Sequence, residues 1–146
     1  KREQHLRDGM DITLCSVNRE NKCIVAGASN ALWVVSKNNH KEIVEYRVNK
    51  QTVGWSENIA PFTQEVIQLN TGDLLYLQSD GFMDQFGGEN NKKFKRAPLK
   101  KHILSLAHLP LNEQEKELYK SELPVFVIRS QQQRFLCFSK VRIARA

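Results

Sequence analysis

Between residues 11 and 79 the chain alternates short apolar runs with polar or glycine-bearing connections, and this rhythm constrains the fold more than any other feature. Asp11–Val17 and Cys23–Ala28 flank Asn18-Arg-Glu-Asn21, and Ala31–Ser36 and Glu42–Val48 flank Lys37-Asn-Asn-His40. Asparagine tolerates the left-handed backbone that tight connections need. Thr63–Leu69 and Asp73–Ser79 are joined by Asn70-Thr-Gly72, where Gly72 is the natural residue for a positive φ. Within Glu42–Val48, Val44, Tyr46 and Val48 share one face while Glu45 and Arg47 share the other, the period of a half-buried antiparallel strand. Leu74–Leu77 is apolar throughout and suits a strand covered on both faces. The first three-fifths of the chain is therefore predicted to be a β-meander.

After residue 80 the pattern changes. Gly87-Gly88 leads into Glu89–Arg96, a charged, solvated loop. Pro98 can sit in the first turn of a helix, and Leu99, Ile103, Leu106 and Ala107 recur at helical spacing. Asn112 with Glu115 three residues on forms an asparagine variant of the capping box, predicting a second helix to about Ser121 that Pro124 ends. The class is α+β, a meander followed by helices.

At 146 residues, 40% hydrophobic and 26% charged, the composition is that of one globular domain. No apolar run approaches the roughly 20 residues that span a bilayer. The sequence opens at Lys1 with no signal-peptide pattern, so a piece of a longer, cytoplasmic protein is expected. The net charge of +6 is a local effect: residues 123–146 hold five basic residues (Arg129, Arg134, Lys140, Arg142, Arg145) and no acid. The other 122 residues carry 17 basic and 16 acidic side chains, a net of +1, which argues against a nucleic-acid-binding face. Three cysteines, Cys15, Cys23 and Cys137, cannot complete a disulfide framework or a typical structural zinc site.

The sequence contains no nucleophile elbow, phosphate-binding glycine loop or zinc-protease helix motif. His5, His40, His102 and His108 are scattered and read as surface or packing residues. The sharpest chemical signal is Leu74-Leu-Tyr-Leu-Gln-Ser-Asp-Gly-Phe-Met-Asp84, a strand delivering Asp80-Gly81 with a second carboxylate four residues later. Such a pair suits a hard divalent ion, Asp80 offering oxygen and Gly81 leaving room at the backbone. Asp84 falls on the side of Asp80 if a helix starts there. Asp-Gly is equally a hairpin turn signal, and spacing alone leaves both open. Asp8-Gly-Met-Asp11 is another carboxylate pair that also reads as a solvated turn, and Gly27-Ala-Ser-Asn30 reads as a tight turn.

Arg7-Asp-Gly-Met-Asp-Ile12, Ala26-Gly-Ala-Ser-Asn30, Thr71-Gly-Asp-Leu-Leu-Tyr-Leu77 and Ser79-Asp-Gly-Phe-Met-Asp-Gln-Phe-Gly-Gly88 follow one another in that order. Together they resemble the stage II sporulation protein E-like branch of the PPM-type metal-dependent serine phosphatases, output domains of bacterial sensor proteins. The resemblance covers roughly residues 6–120 and corresponds to the C-terminal half of that catalytic domain. It implies part of an α-β-β-α sandwich and hydrolysis of phosphoserine or phosphothreonine on a protein. It also implies two Mn²⁺ or Mg²⁺ ions that hold and acidify the attacking water. On this resemblance Asp80 is a metal ligand, with Gly81 and Asp84 beside the metal centre.

Two departures accompany the match. The family's first metal-binding aspartates belong to a portion that would precede Lys1, and its C-terminal Asp-Asp strand has no counterpart in the acid-free segment 123–146. Several carboxylates are needed to offset the dehydration of two divalent ions, so the chain alone is expected to lack activity. The expected division is a partial phosphatase domain at 1–122 and a divergent basic segment at 123–146. That segment is either a disrupted reading frame or a genuine pair of strands, Val125–Ile128 and Phe135–Phe138. The leading functional reading is part of a sensor-coupled phosphatase acting on an anti-sigma-factor antagonist type of protein. The parent could be membrane-attached through upstream segments. The alternative is a non-catalytic, phosphatase-like interaction module. In either case half a sandwich leaves an apolar face and strand edges bare, which predicts self-association.

Overall fold

Residues 9–54, 59–78, 86–87, 92–93, 95–120, 125–129 and 134–138 are described by a computed structural model. The strands are β1 (Gly9–Met10), β2 (Ile12–Val17), β3 (Lys22–Ala28), β4 (Leu32–Ser36), β5 (Asn39–Tyr46), β6 (Val53–Gly54), β7 (Gln64–Gln68) and β8 (Leu74–Leu77). There follow β9 (Phe86–Gly87), β10 (Lys92–Lys93), helices α1 (Arg96–Leu106) and α2 (Leu111–Lys120), then β11 (Val125–Arg129) and β12 (Arg134–Phe138). One sheet has five strands in the order β11-β12-β8-β4-β5, and a second has three in the order β2-β3-β7. Two-stranded ribbons pair β1 with β6 and β9 with β10. All these pairings are antiparallel except β12 with β8, which is parallel, Arg134 lying opposite Leu74 and Cys137 opposite Leu77.

The turn chemistry acts as the sequence predicts. Asn21 takes a φ of 60° in the β2–β3 connection, and Gly72 a φ of 97° before β8. Asp73 anchors that last turn: its carboxylate accepts from the amides of Asn70 at 2.8 Å and Lys37 at 2.9 Å, tying it to the β4–β5 hairpin. The Thr71-Gly-Asp73 motif is thus a structural clasp at the end of the sheets away from the connection between β3 and β4.

Because β4 and β8 lie inside the larger sheet, their side chains alternate between two cores. Trp33, Val35, Leu74 and Tyr76 pack against Leu99, Ile103, Ala107, Leu111 and Leu118 of the helical layer. Leu32, Val34, Leu75 and Leu77 face the three-stranded sheet and meet Cys23, Val25, Ile67 and Leu69. The architecture is two packed sheets with helices on the outside of the larger one. Tyr76 carries its hydroxyl into the helical core and donates to Gln114 Oε1 at 2.9 Å, while Gln114 Nε2 donates to the Leu109 carbonyl at 2.8 Å.

Three elements differ from the pattern-based expectation. The polar face of β5 is covered: Glu45 pairs with Arg96 and Lys100 of α1, and both cations lie over the Trp33 ring at 5.5 and 5.3 Å from its centroid. Helix α2 starts at Leu111, with the amides of Glu113 and Gln114 donating to the Pro110 carbonyl, so Asn112 lies inside the helix and caps nothing. The stretch predicted to be a solvated loop contains the β9–β10 ribbon. Among the described residues no helix is long and apolar enough to cross a membrane.

Candidate functional site

The register of the strands decides which motifs can meet. Trp33 lies opposite Tyr76 and Val35 opposite Leu74, so β8 ends where β4 begins. β2 begins at Ile12 opposite Ala28, where β3 ends. β3 and β4 are separated by only Ser29, Asn30 and Ala31. Consequently the segment ending at Ile12, the Ala26–Asn30 turn and the strand that leads into Ser79–Asp84 converge on one end of the two sheets. β12, parallel to β8, also finishes at this end.

The turn at this end is tightly specified. Thr13 Oγ1 donates to the Asn30 carbonyl at 2.6 Å, and Ser29 is held at a φ of 69°, a region that side-chain-bearing residues seldom adopt. Asn49 fastens the turn: its carbonyl accepts from the Ser29 amide at 2.8 Å and its amide donates to the Gly27 carbonyl at 3.2 Å. Its side-chain oxygen accepts from both the amide and the hydroxyl of Thr63. Sequence reasoning passed over Asn49, an asparagine beyond a strand whose partners are distant in the chain and carry no local signature. Across the same end Gln51 exchanges two hydrogen bonds with the main chain of Ala60.

Asp80, Gly81 and Asp84, the candidate metal ligand and its neighbours, lie outside the described residues, as does Asp8. Asp11 is described and exposed, between β1 and β2. Gln78, the last described residue before the motif, is buried, and its Oε1 has no hydrogen-bond partner among the described residues. Oxygen donors of this kind suit Mg²⁺ or Mn²⁺. Among the described residues no three of His, Cys, Asp and Glu group together, and β12, the neighbour of β8, contains no acid. No catalytic step through a metal pair follows from these residues.

The model of the family described as Stage II sporulation protein E (SpoIIE) matches residues 3–134, a span that includes β11 and reaches the first residue of β12. Among solved structures, the SiaA-PP2C domain of Pseudomonas aeruginosa is similar, with 27% sequence identity and a TM-score of 0.68. The likeness covers 77% of this chain and 44% of that one, so the chain spans less than half the length of that domain. No curated protein matches. The mixed architecture of packed sheets and flanking helices is that of a PP2C-type α+β fold. With three motif segments gathered at one end of two packed sheets and the family pattern running through residues 3–134, this chain belongs to the stage II sporulation protein E (SpoIIE) family of phosphatase domains.

Proposed function

We propose that the chain is the part of a metal-dependent protein serine/threonine phosphatase that delivers Asp80 to the metal centre, with Gly81 and Asp84 beside it. The observation that carries this reading is the convergence of the Ile12, Ala26–Asn30 and Leu74–Leu77 segments at one end of the sheets. Its substrate class is a phosphoserine or phosphothreonine regulatory protein of the anti-sigma-factor antagonist type in bacterial signalling, a reading supported by the family. When bound, Mn²⁺ or Mg²⁺ would supply an acidified water and charge neutralisation on the phosphoryl group. Asp80, three residues beyond the end of β8 in the sequence, would supply a carboxylate for such an ion.

The chain by itself is expected not to turn over substrate, a reading supported by the strand beside β8 having no acid. That same observation favours one other reading, a phosphatase-like module that binds partners without catalysis. Calorimetry with Mn²⁺, paired with phosphate release from a phosphoserine peptide, tests both. Weak binding of a single ion that disappears in Asp80→Asn, with no phosphate release, is the expected result. Turnover by the chain alone would overturn the inactivity, and absence of any Asp80-dependent binding would leave the interaction module.

A further inference from the structure

Cys15 on β2 and Cys23 on β3 bring their sulfurs to 3.2 Å inside the inter-sheet layer, both as free thiols. Their strands pair in the register Cys15 opposite Val25 and Val17 opposite Cys23, so the two cysteines are diagonal neighbours on one face. Cys23 is wholly buried in the core between the sheets, while Cys15 is only partly covered. We propose that Cys15 and Cys23 form an oxidation site, a dithiol that a hydroperoxide converts into a reversible disulfide linking β2 to β3.

The chemistry closes with the oxidant as sole co-reactant. The sulfur of Cys15, the less covered of the two residues, attacks a peroxide oxygen; the oxygen–oxygen bond breaks, the oxygen is retained as a sulfenic acid, and the thiol proton leaves with the departing alcohol or water. The Cys23 sulfur then attacks the Cys15 sulfur. The sulfur–sulfur bond forms, the sulfur–oxygen bond breaks, and the Cys23 proton departs with the oxygen as water. Two thiols and one hydroperoxide thus yield one disulfide, one alcohol (water for hydrogen peroxide) and one further water.

The surroundings favour the second of these steps, the attack by Cys23. The hydrogen bond from Cys15 holds the Cys23 thiol below its ordinary pKa, against the opposing effect of burial. The same contact, together with burial, raises Cys15, which makes its attack on the peroxide the slower step. The pair therefore keeps one proton between the sulfurs and releases the other more readily than a lone buried thiol would. Diagonal positions on antiparallel strands have α-carbons about 7–8 Å apart, against about 4.4–6.8 Å in an unstrained disulfide. Closure must draw the strands together, and a strained disulfide is the easily reduced kind. Both strands end in segments of the candidate site, Ile12 at the start of β2 and Ala28 at the end of β3.

Trypsin tests the pairing directly, since cleavage after Arg19 and Lys22 puts the two cysteines on separate peptides unless they are bonded. The full chain is treated with hydrogen peroxide, alkylated and digested, and its peptides are weighed. The expected result is a linked peptide pair, a loss of two alkylatable thiols per chain with Cys137 still alkylatable, and full recovery with dithiothreitol. Cys23→Ser should instead stop at the sulfenic acid on Cys15, trapped by dimedone. Unlinked Cys15 and Cys23 peptides after oxidation, crosslinks through Cys137, or linkage only between chains would each overturn the proposal. The measurement on the unmutated chain stands even where the variant does not fold.

Discussion

At the scale of single residues, Gly27 shows how little freedom the candidate site end allows. A β-carbon there would lie 2.4 Å from the Ile12 carbonyl oxygen and 3.0 Å from the Thr13 α-carbon, both main-chain atoms that cannot swing aside. Gly27→Ala is therefore expected to cost about 1–3 kcal/mol, read as a lowered urea midpoint with an unchanged slope. Tyr76 makes a second case. Burial raises its phenol pKa well above the ordinary value. Below about pH 10 both folded and unfolded chains hold the proton, and the group adds no pH dependence. Above that the unfolded chain releases the proton while the folded chain keeps it. Stability then falls by about 1.4 kcal/mol per pH unit from this group. Tyr76→Phe should flatten the decline of the urea midpoint between pH 9.5 and 11 relative to the parent. The same change should lower stability at neutral pH by about 1–3 kcal/mol by orphaning Gln114 Oε1. An equal decline in both proteins would show that Tyr76 ionises freely.

At the scale of elements, most of the meander was legible because each connection names its own chemistry. Asn21 and Gly72 sit at positive φ where the sequence reading called for it, and the apolar run of β8 is buried on both faces. What stayed hidden depends on contacts far along the chain. Glu45 looks like a solvated strand residue until α1 closes over it, and Asn112 looks like a cap until the Pro110 carbonyl takes that role. The site was legible as motifs, since their order in the chain carries the family resemblance. Their meeting at one end was not, because the register of β4 against β8 joins residues some forty positions apart. The terminal strands are the clearest element-scale test. β12 occupies the outer edge of β8, and a chain stopped after Glu122 would leave that fully buried strand with bare amides. Such a chain is expected to precipitate or melt without a cooperative transition, followed by circular dichroism and sedimentation. A shortened chain that melts like the parent would show that β11 and β12 contribute nothing to the sheet.

For the molecule as a whole, the helices among the described residues cover the larger sheet. The outer face of the three-stranded sheet presents Leu14, Ile24 and Val66, with Leu14 53% and Val66 55% exposed, and Ile24 lies directly opposite Val66. A contiguous apolar strip of this kind on a sheet favours association. The chain is expected to sediment as concentration-dependent oligomers at tens of micromolar. Replacing Leu14, Ile24 and Val66 together by threonine, which keeps strand preference, should return a monomer. A parent that stays monomeric throughout that range would sink the idea. The central position of β4 and β8 has a further consequence, one of timing. Their pairing carries both cores, yet β5, β6 and β7 intervene between them in the chain. The loop between them must close before the centre can form, so the hairpins β2–β3 and β4–β5, whose contacts are local, are expected to assemble before it. Once joined, the amides of β4 and β8 are expected to open last, their exchange with solvent reporting global unfolding, while the β1–β6 ribbon is expected to exchange through local fraying.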